Sequence, residues 1–349
     1  MTQQKEENWK ELRIFCLDNE KREWRTRIMK KTVVTVLLGL LLCTVTACSK
    51  NQVVQKDESN REAPSTQELF EDESVGRLDV ETEEADIQTE DIPTIEVQSV
   101  INEQGMTLAE RIQTPKGYTR TKEETGSLAE FLREYSLKEA GAEVLLYDGS
   151  PKGNQGAHVA VLELPIEAYD LQQCADSVMR VYAEYFWHTG QYDRIAFHFT
   201  NGFLAEYTKW RDGYRIEVNG NDVTWSKSAA YDDSYECFVK YLKIVFSYAG
   251  TLSLETEAEQ ITPDEIAVGD VFIHGGSPGH VVMIVDVCED LEGNKAFLLA
   301  QGYMPAQEFH VLKNEQHEED PWYYTDELEY PFRTPEYTFD EGALKRFMY

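Results

Sequence analysis

The chain has few basic residues. Its 349 residues include 33 Lys and Arg against 64 Asp and Glu, which gives a formal net charge of −31. A nucleic-acid-binding face needs clustered Lys and Arg, so this composition argues against DNA or RNA as a partner. Much of the excess is local, because 15 acidic residues and two basic ones lie between Asp57 and Glu96. Such a segment buries little apolar surface, and we therefore predict that residues 49–104 form a disordered acidic tether.

The N-terminal region lacks an apolar run long enough to cross a membrane, which takes about 20 residues. The run at 32–47 has 16 residues, follows Lys30-Lys31 and ends directly before Cys48. A basic start, a short apolar stretch and small closing residues are typical of a secretory signal. The cysteine after the small residues resembles a bacterial lipobox. We therefore expect residues 29–48 to be a lipoprotein signal and Cys48 to carry lipid; a plain signal peptide or an uncleaved anchor is the alternative.

This interpretation predicts an extracytoplasmic location and the lipid membrane as a partner. Lipid on Cys48 would tether it to the cell membrane and hold the remainder outside the cytoplasm. The mixed, charged residues 1–28 are an unusual preface to a signal, so we predict that they are a non-native extension and that Met29 is the true start.

Cysteine is scarce in the remaining residues 105–349, which are rich in aromatics and long enough for a single globular domain. They contain Cys174, Cys237 and Cys288. An odd number cannot complete a disulfide framework, so at least one thiol is predicted to be free. Because a free thiol outside the cytoplasm invites oxidation, its presence suggests a functional role.

Helical patterns precede most strand patterns along this domain. Periodicity predicts helices over 127–135, about 170–187 and 234–249, and strands over 143–147, 158–164 and 194–200, with a hairpin turn at 219–221. Residues 321–349 form an aromatic, acidic tail that we expect to wrap the core. Helices first and a mostly antiparallel sheet last predict an α+β fold.

Three strands near the C-terminus carry the sharpest chemical pattern. The second of them opens with His280 after a glycine, and the third ends in Gln301. A histidine at a strand mouth with a polar side chain on the neighbouring strand is half of a cysteine-nucleophile site; an ordinary β-meander with a surface histidine is the alternative. Simple pairing sets Gln301 nearer Met283 than His280, so its role as the orienting group requires a bulge. Asp286 is rejected for that role, since six residues along a strand span about 20 Å.

Cys174 is the leading candidate nucleophile. Asp170 can cap a helix and Gln173 completes a capping-box pattern, which puts Cys174 in the first helical turn. Unpaired N–H groups and the helix dipole favour a thiolate there. The alternative is a small buried hydrophobe, because Cys174 also falls on the apolar stripe of this helix.

Three further residues compete for roles in the site. Ser234 can cap the next helix and makes Cys237 a second first-turn cysteine. His158 opens another strand and is the second candidate base. His317 lies in an acidic loop without metal-ligand spacing, so no metal or other cofactor is predicted.

Several blocks together resemble the bacterial domain-of-unknown-function family 4846, whose members are often secreted lipoproteins. The blocks are Asp170-Leu171-Gln172-Gln173-Cys174-Ala175-Asp176, Phe199-Thr200-Asn201-Gly202-Phe203, Lys209-Trp210-Arg211-Asp212-Gly213, Tyr248-Ala249-Gly250-Thr251 and Leu298-Leu299-Ala300-Gln301-Gly302-Tyr303-Met304-Pro305-Ala306-Gln307. This resemblance covers nearly all of residues 105–349 and implies no activity.

A second, remoter resemblance implies a chemistry. Gly269-Asp270, then Gly279-His280-Val281, a Gly turn and a strand ending in Gln301 are similar to the histidine half of NlpC-like and CHAP amidases, papain-like hydrolases of peptidoglycan. In that family a helix-borne cysteine precedes the histidine strand, the order of Cys174 and His280 here. The family's Asp-Cys-Ser signature is absent, since aligning Phe238-Val239 on it places its cysteine at Tyr235.

Two hypotheses follow. The first is a cysteine amidase or peptidase with a papain-like antiparallel sheet and packed helix layer, in which Cys174, His280 and Gln301 act on cell-wall peptide. The second is a non-catalytic envelope module that binds glycan or peptide through Trp210, Trp225 and Trp322. In both we expect a monomer.

Overall fold

The computed structural model describes residues 99–349. The predicted extension, the lipoprotein signal with Cys48 and nearly all of the predicted tether lie outside these residues. Within the described part, the chain forms six α-helices: α1 Leu108–Arg111, α2 Leu128–Arg133, α3 Cys174–His188, α4 Tyr207–Arg211, α5 Tyr235–Tyr248 and α6 Thr251–Thr256.

The strands of residues 99–349 are mostly short. They are β1 Thr119–Arg120, β2 His158–Val161, β3 Ala196–His198, β4 Leu204–Glu206, β5 Tyr214–Asn219, β6 Asp222–Lys227, β7 Ala258–Gln260, β8 Val271–His274, β9 His280–Glu289, β10 Lys295–Gln301, β11 His310–Leu312, β12 Tyr323–Tyr324, β13 Phe332–Arg333, β14 Thr338–Phe339 and β15 Leu344–Phe347.

One antiparallel sheet organises the domain. Its strand order is β2-β11-β10-β9-β8-β15-β7, with β1 paired to β9 and β12 paired to β10. Three separate hairpins, β3-β4, β5-β6 and β13-β14, lie outside it. Helices and antiparallel sheets in one domain confirm the predicted α+β class. None of the helices in residues 99–349 has the length and hydropathy that a membrane span needs.

A bulge in β9 decides which side chains meet across the sheet. Leu298 of β10 pairs with Asp286, but Leu299 pairs with Ile284, so β9 holds one extra residue at position 285. Because side chains alternate along a strand, this shift turns the first part of β9 over relative to β10. His280 and Gln301 are thereby brought onto the same face.

The sheet separates two hydrophobic cores. The larger core lies on the helix side and contains residues of α3, α5 and β9, including Cys174 and Val281. The smaller core lies on the other side and includes Val282, Leu299 and Phe339. The C-terminal segment covers this second face, and its β15 inserts between β8 and β7. The tail therefore contributes two strands, β12 and β15, to the sheet as well as wrapping it.

The first turn of α3 differs from its prediction in how it is capped. The helix begins at Cys174, and the N–H of Gln173 donates to Asp176 Oδ2 at 2.9 Å. Asp170 instead accepts from the N–H of Ala306 at 2.7 Å and ties a later loop to the helix. Asp170 is thus not the cap, although Cys174 is a first-turn residue as predicted.

The strand predicted over 143–147 is wrong. Leu145 and Leu146 make only isolated bridges, to Pro151 and Gln307. A tight turn follows at once, with the Leu146 N–H donating to the carbonyl of Ser150 at 2.8 Å. The segment therefore folds back before a ladder can extend.

Candidate functional site

His280 and Gln301 form a direct hydrogen bond. His280 is the first residue of β9 and Gln301 the last of β10, and the imidazole Nε2 lies 2.7 Å from the amide Oε1. The side chains are 2 % and 0 % exposed. Since an amide oxygen can only accept, Nε2 carries the hydrogen and Nδ1 is the nitrogen that can take a proton.

A charged pair from two distant segments holds the other end of Gln301. Its Nε2 donates to Glu336 Oε2 at 2.7 Å, and the same carboxylate is paired with Lys152. Burial alone would raise the pKa of Glu336, but His310 and Lys152 outweigh it and lower the pKa to about 2. Glu336 is therefore an ionised acceptor across the physiological pH range.

The N-terminus of α3 meets the sheet where β9 begins and β10 ends. A Cβ on Gly302 would lie 2.2 Å from Ser177 Oγ and 3.1 Å from the carbonyl oxygen of Gln173, so a glycine permits this approach. The N–H of Val281, the residue after His280, faces the Cys174 sulfur. The structure thus brings Cys174 into the neighbourhood of His280 and Gln301.

The Cys174 thiol is neutral in this state. Burial, followed by the charge of Asp176, raises its pKa to about 11, although the N–H groups of Cys174, Ala175 and Val281 lower it. The expectation that a first-turn position produces a thiolate is wrong here, because only 5 % of Cys174 is exposed and desolvation outweighs the amides. Burial likewise lowers the pKa of His280 to about 4. The pair rests as thiol and neutral imidazole.

Aromatic side chains cover the imidazole. The ring centroids of Tyr303 and Tyr337 lie 4.8 and 5.0 Å from that of His280, and Phe339 stacks at 6.1 Å. A charge on Cys174 would raise the pKa of both Tyr303 and Tyr337, which places the thiol near the same two rings. Tyr337 and Phe339 belong to the β13-β14 hairpin. This hairpin therefore forms part of the cover over the site.

The other cysteines and the other candidate histidines lie in ordinary structural environments. Cys237 is 1 % exposed in the helix-side core, and Cys288 is buried in β9; burial raises the pKa of each. His158 lies against the ring of His310, with its Nε2 donating to the carbonyl of Ala142 at 3.0 Å. His317 pairs with Glu327 in a partly exposed loop.

Two of the three tryptophans proposed for binding are core residues. Trp322 is fully buried and its Nε1 donates to the carbonyl of Gln113 at 2.8 Å. Trp210 is also buried and donates to the carbonyl of Cys237 at 3.1 Å. Neither ring is available to a ligand, and this part of the binding prediction is wrong. Trp225 is half-buried and packs against Phe203.

No set of three or more His, Cys, Asp or Glu side chains in residues 99–349 is arranged to hold a metal ion. An open groove of about 1060 Å³ lies elsewhere on the domain, and its walls include His198, Leu252 and Met348. Neither Cys174 nor His280 borders it.

Sequence reasoning missed the residues behind Gln301. Lys152 lies in a turn-rich loop and Glu336 in the tail, so neither has a periodic neighbour that signals a site. A buried lysine is unusual unless it is paired, but burial of Lys152 could not be read from a loop composition.

Comparison with known proteins gives a family without an activity. No curated protein and no solved structure matches the chain. The model of the family described as domain of unknown function (4846) matches residues 108–346. The chain therefore belongs to the family of this domain of unknown function.

Proposed function

We propose that this protein is a lipid-tethered cysteine amidase or peptidase with a papain-like site, acting on cell-wall peptide outside the membrane. The observation that carries the proposal is the 2.7 Å bond from His280 to Gln301 beside the helix turn that holds Cys174. That arrangement provides a nucleophile, a base and an orienting group in the chain order of NlpC-like hydrolases.

The proposed steps use the tautomer that the hydrogen bond to Gln301 sets. Nδ1 of His280 takes the thiol proton because Nε2 is occupied by Gln301. The sulfur of Cys174 then attacks the amide carbonyl, and N–H groups of the first helical turn stabilise the oxyanion. The imidazolium returns its proton to the leaving amine. Water, deprotonated by the same nitrogen, hydrolyses the thioester and restores the thiol.

The described state is closed. With the pKa of Cys174 raised and that of His280 lowered by burial, proton transfer from thiol to imidazole is unfavourable. A peptide also needs access to side chains that are almost fully covered. The proposed cycle therefore requires the aromatic cover to move, which solvates both groups and brings their pKa values together.

The direct test is release of new amines from purified peptidoglycan of several peptide types. Wild type is expected to release amine and Cys174→Ala to release none. Wild type that binds wall yet releases no amine from any of them would contradict the enzyme. The tether is tested separately: wild type should partition into detergent through lipid on Cys48, and Cys48→Ala should not.

One observation favours the second candidate, a non-catalytic module that binds glycan or peptide. Cys174 and His280 are buried and electrically neutral, as expected of structural residues. Trp225 remains the aromatic side chain that can stack on a ligand. Under this alternative, Trp225→Ala weakens retention on purified wall while Cys174→Ala changes nothing.

A further inference from the structure

The Gln301 amide can face His280 in two ways, and the choice sets the tautomer of the imidazole. With Oε1 toward the ring, Nε2 must carry the hydrogen and Nδ1 is basic. With the amide reversed, its N–H groups would favour a ring that accepts at Nε2 and carries hydrogen on Nδ1. The second state has no base at Nδ1, so the proposed mechanism needs the first.

Glu336 removes this ambiguity. An ionised carboxylate offers no hydrogen, so the end of Gln301 that lies 2.7 Å from Glu336 Oε2 must be the donating NH₂ group. The amide oxygen is then left for His280. A neutral apolar side chain at position 336 would leave the NH₂ group with the longer contact, 3.5 Å to His310 Nε2, and so weaken the preference for this orientation.

Glu336 is itself held from three sides. Lys152, only 7 % exposed, pairs with its carboxylate, and Asn154 Nδ2 donates to Oε1 at 3.3 Å. The hydroxyl of Tyr303 donates to the backbone carbonyl of Glu336 at 3.2 Å. These contacts come from outside the β13-β14 hairpin and meet at its turn. They fix the turn over the site.

The hairpin is short, and hydrogen bonds between Thr334 and Tyr337 close its turn. β13 and β14 have two residues each, Phe332 pairs with Phe339, and both phenylalanines pack in the smaller core. Two-residue strands supply few ladder bonds, so the position of the turn depends strongly on side-chain contacts. Glu336 supplies the polar contacts that join the turn to Gln301, Lys152 and Asn154.

We propose that Glu336 is a positioning residue which, from the turn of the β13-β14 hairpin, orients Gln301 and thereby selects the Nε2–H tautomer of His280. The site is then assembled only while the hairpin is docked. For its catalytic meaning this inference rests on the proposed function, but the tautomer is measurable without any substrate.

The test compares two variants. Glu336→Ala/Lys152→Met removes the acceptor without leaving an unpaired buried lysine, whereas Lys152→Met alone keeps the carboxylate, which can only accept. Two-bond ¹H–¹⁵N spectra of the neutral imidazole report the tautomer, and His280→Gln identifies the His280 signals among the seven histidines. We expect wild type and Lys152→Met, which both keep the carboxylate, to be Nε2–H. The Ala variant is expected to contain a substantial Nδ1–H population.

Activity provides a second readout. Loss of orientation is expected to lower kcat of the Ala variant by about 10–100-fold relative to Lys152→Met, with KM little changed. Should the Ala variant unfold, Glu336→Asn/Lys152→Met keeps the polarity but is one methylene too short, and it should lose the tautomer in the same way.

Retention of pure Nε2–H in every folded variant that lacks the long acceptor would overturn the positioning role, whatever the activity. A tautomer shift in a protein whose wild type hydrolyses no peptide would support the positioning role and refute the proposed function. The two failures are therefore distinguishable.

Discussion

Two helices of this domain, α3 and α5, each carry a buried cysteine in the first turn. Cys174 is the first residue of α3, and the N–H of Val281 from the histidine strand faces its sulfur. Cys237 is the third residue of α5, and its own N–H donates to Ser234 Oγ at 3.2 Å. Both thiols are desolvated and both have a raised pKa. A first-turn position is therefore insufficient, and the opposing strand makes the difference.

The largest expected effect is on hydrolysis. Cys174→Ala and His280→Ala should each lower amine release from peptidoglycan by more than about 10³-fold, because nucleophile and base act as one unit. The double variant should be no slower than either single one. Cys237→Ala, at the matched position of α5, should keep its activity.

The comparison would collapse if Cys174→Ala remained active, or if Cys237→Ala lost as much activity while retaining its thermal unfolding midpoint. Circular dichroism on each variant separates a lost site from a lost fold, since a buried small residue is changed in both cases.

The second effect concerns access to the two thiols. Both cysteines belong to the helix-side core, but Cys174 also lies near Tyr337 of the β13-β14 hairpin, which we propose to open locally. We expect iodoacetamide at pH 8 to label Cys174 about 100-fold faster than Cys237 in buffer, because local openings cost less free energy than global unfolding. Mass spectrometry of the labelled peptides measures both rates in one sample.

Urea distinguishes the two routes to labelling, which are local opening and global unfolding. Labelling of Cys237 should accelerate steeply with low concentrations of urea, since it requires exposure of much surface, and labelling of Cys174 should change little. Equal rates with equal urea dependence at both cysteines would assign Cys174 to the ordinary core and remove the cover as a moving part.

Sequence alone placed Cys174 in a first helical turn and found the histidine strand, but it began the helix at about residue 170, whereas α3 begins at Cys174. The pattern Asp170 to Gln173 suggested Asp170 as the cap, yet Gln173 is the N-cap and its N–H donates to Asp176, while Asp170 accepts from a loop N–H. Local spacing cannot reveal such a competitor. The first turn was predictable and its partner was not.

The role of Gln301 depended on one extra residue in β9. Straight pairing would set Gln301 opposite Met283, on the face away from His280, and the bulge at 285 reverses this. Position 285 is a valine in an unbroken apolar run, so no glycine or proline indicated the bulge in the sequence. Glu336 and Lys152 were harder still to predict from the sequence, because only long-range packing brings them to the Gln301 amide.

The third effect is on the pH dependence of the unfolding free energy, at about 1 kcal/mol per pH unit. It concerns the acidic residues beside the two cysteines. Burial raises the pKa of Asp176 to about 8, whereas Glu236 in the first turn of α5 is exposed. A folded-state pKa above the unfolded one means that folding takes up a proton. The contribution of Asp176 is therefore complete below about pH 4 and is lost as pH rises toward 8.

Urea unfolding of variants between pH 5 and 8 measures this contribution. Asp176→Asn, which keeps an acceptor for the Gln173 N–H, should flatten the decline of the unfolding free energy with pH. Glu236→Gln should leave the decline unchanged. An identical slope in wild type and Asp176→Asn would show that Asp176 is ionised in the folded protein.

The smallest effect is the cost of a hydroxyl at each cysteine. In Cys237→Ser the oxygen enters the helix-side core, and its desolvation should cost about 1–3 kcal/mol of unfolding free energy. In Cys174→Ser the hydroxyl oxygen can accept from the Val281 N–H that faces the sulfur, so the loss should be at most about 1 kcal/mol. Urea midpoints at pH 7 with unchanged m-values give the comparison. If Cys174→Ser proved the more destabilising, that N–H would not be available at the site, and the first turn of α3 would resemble that of α5.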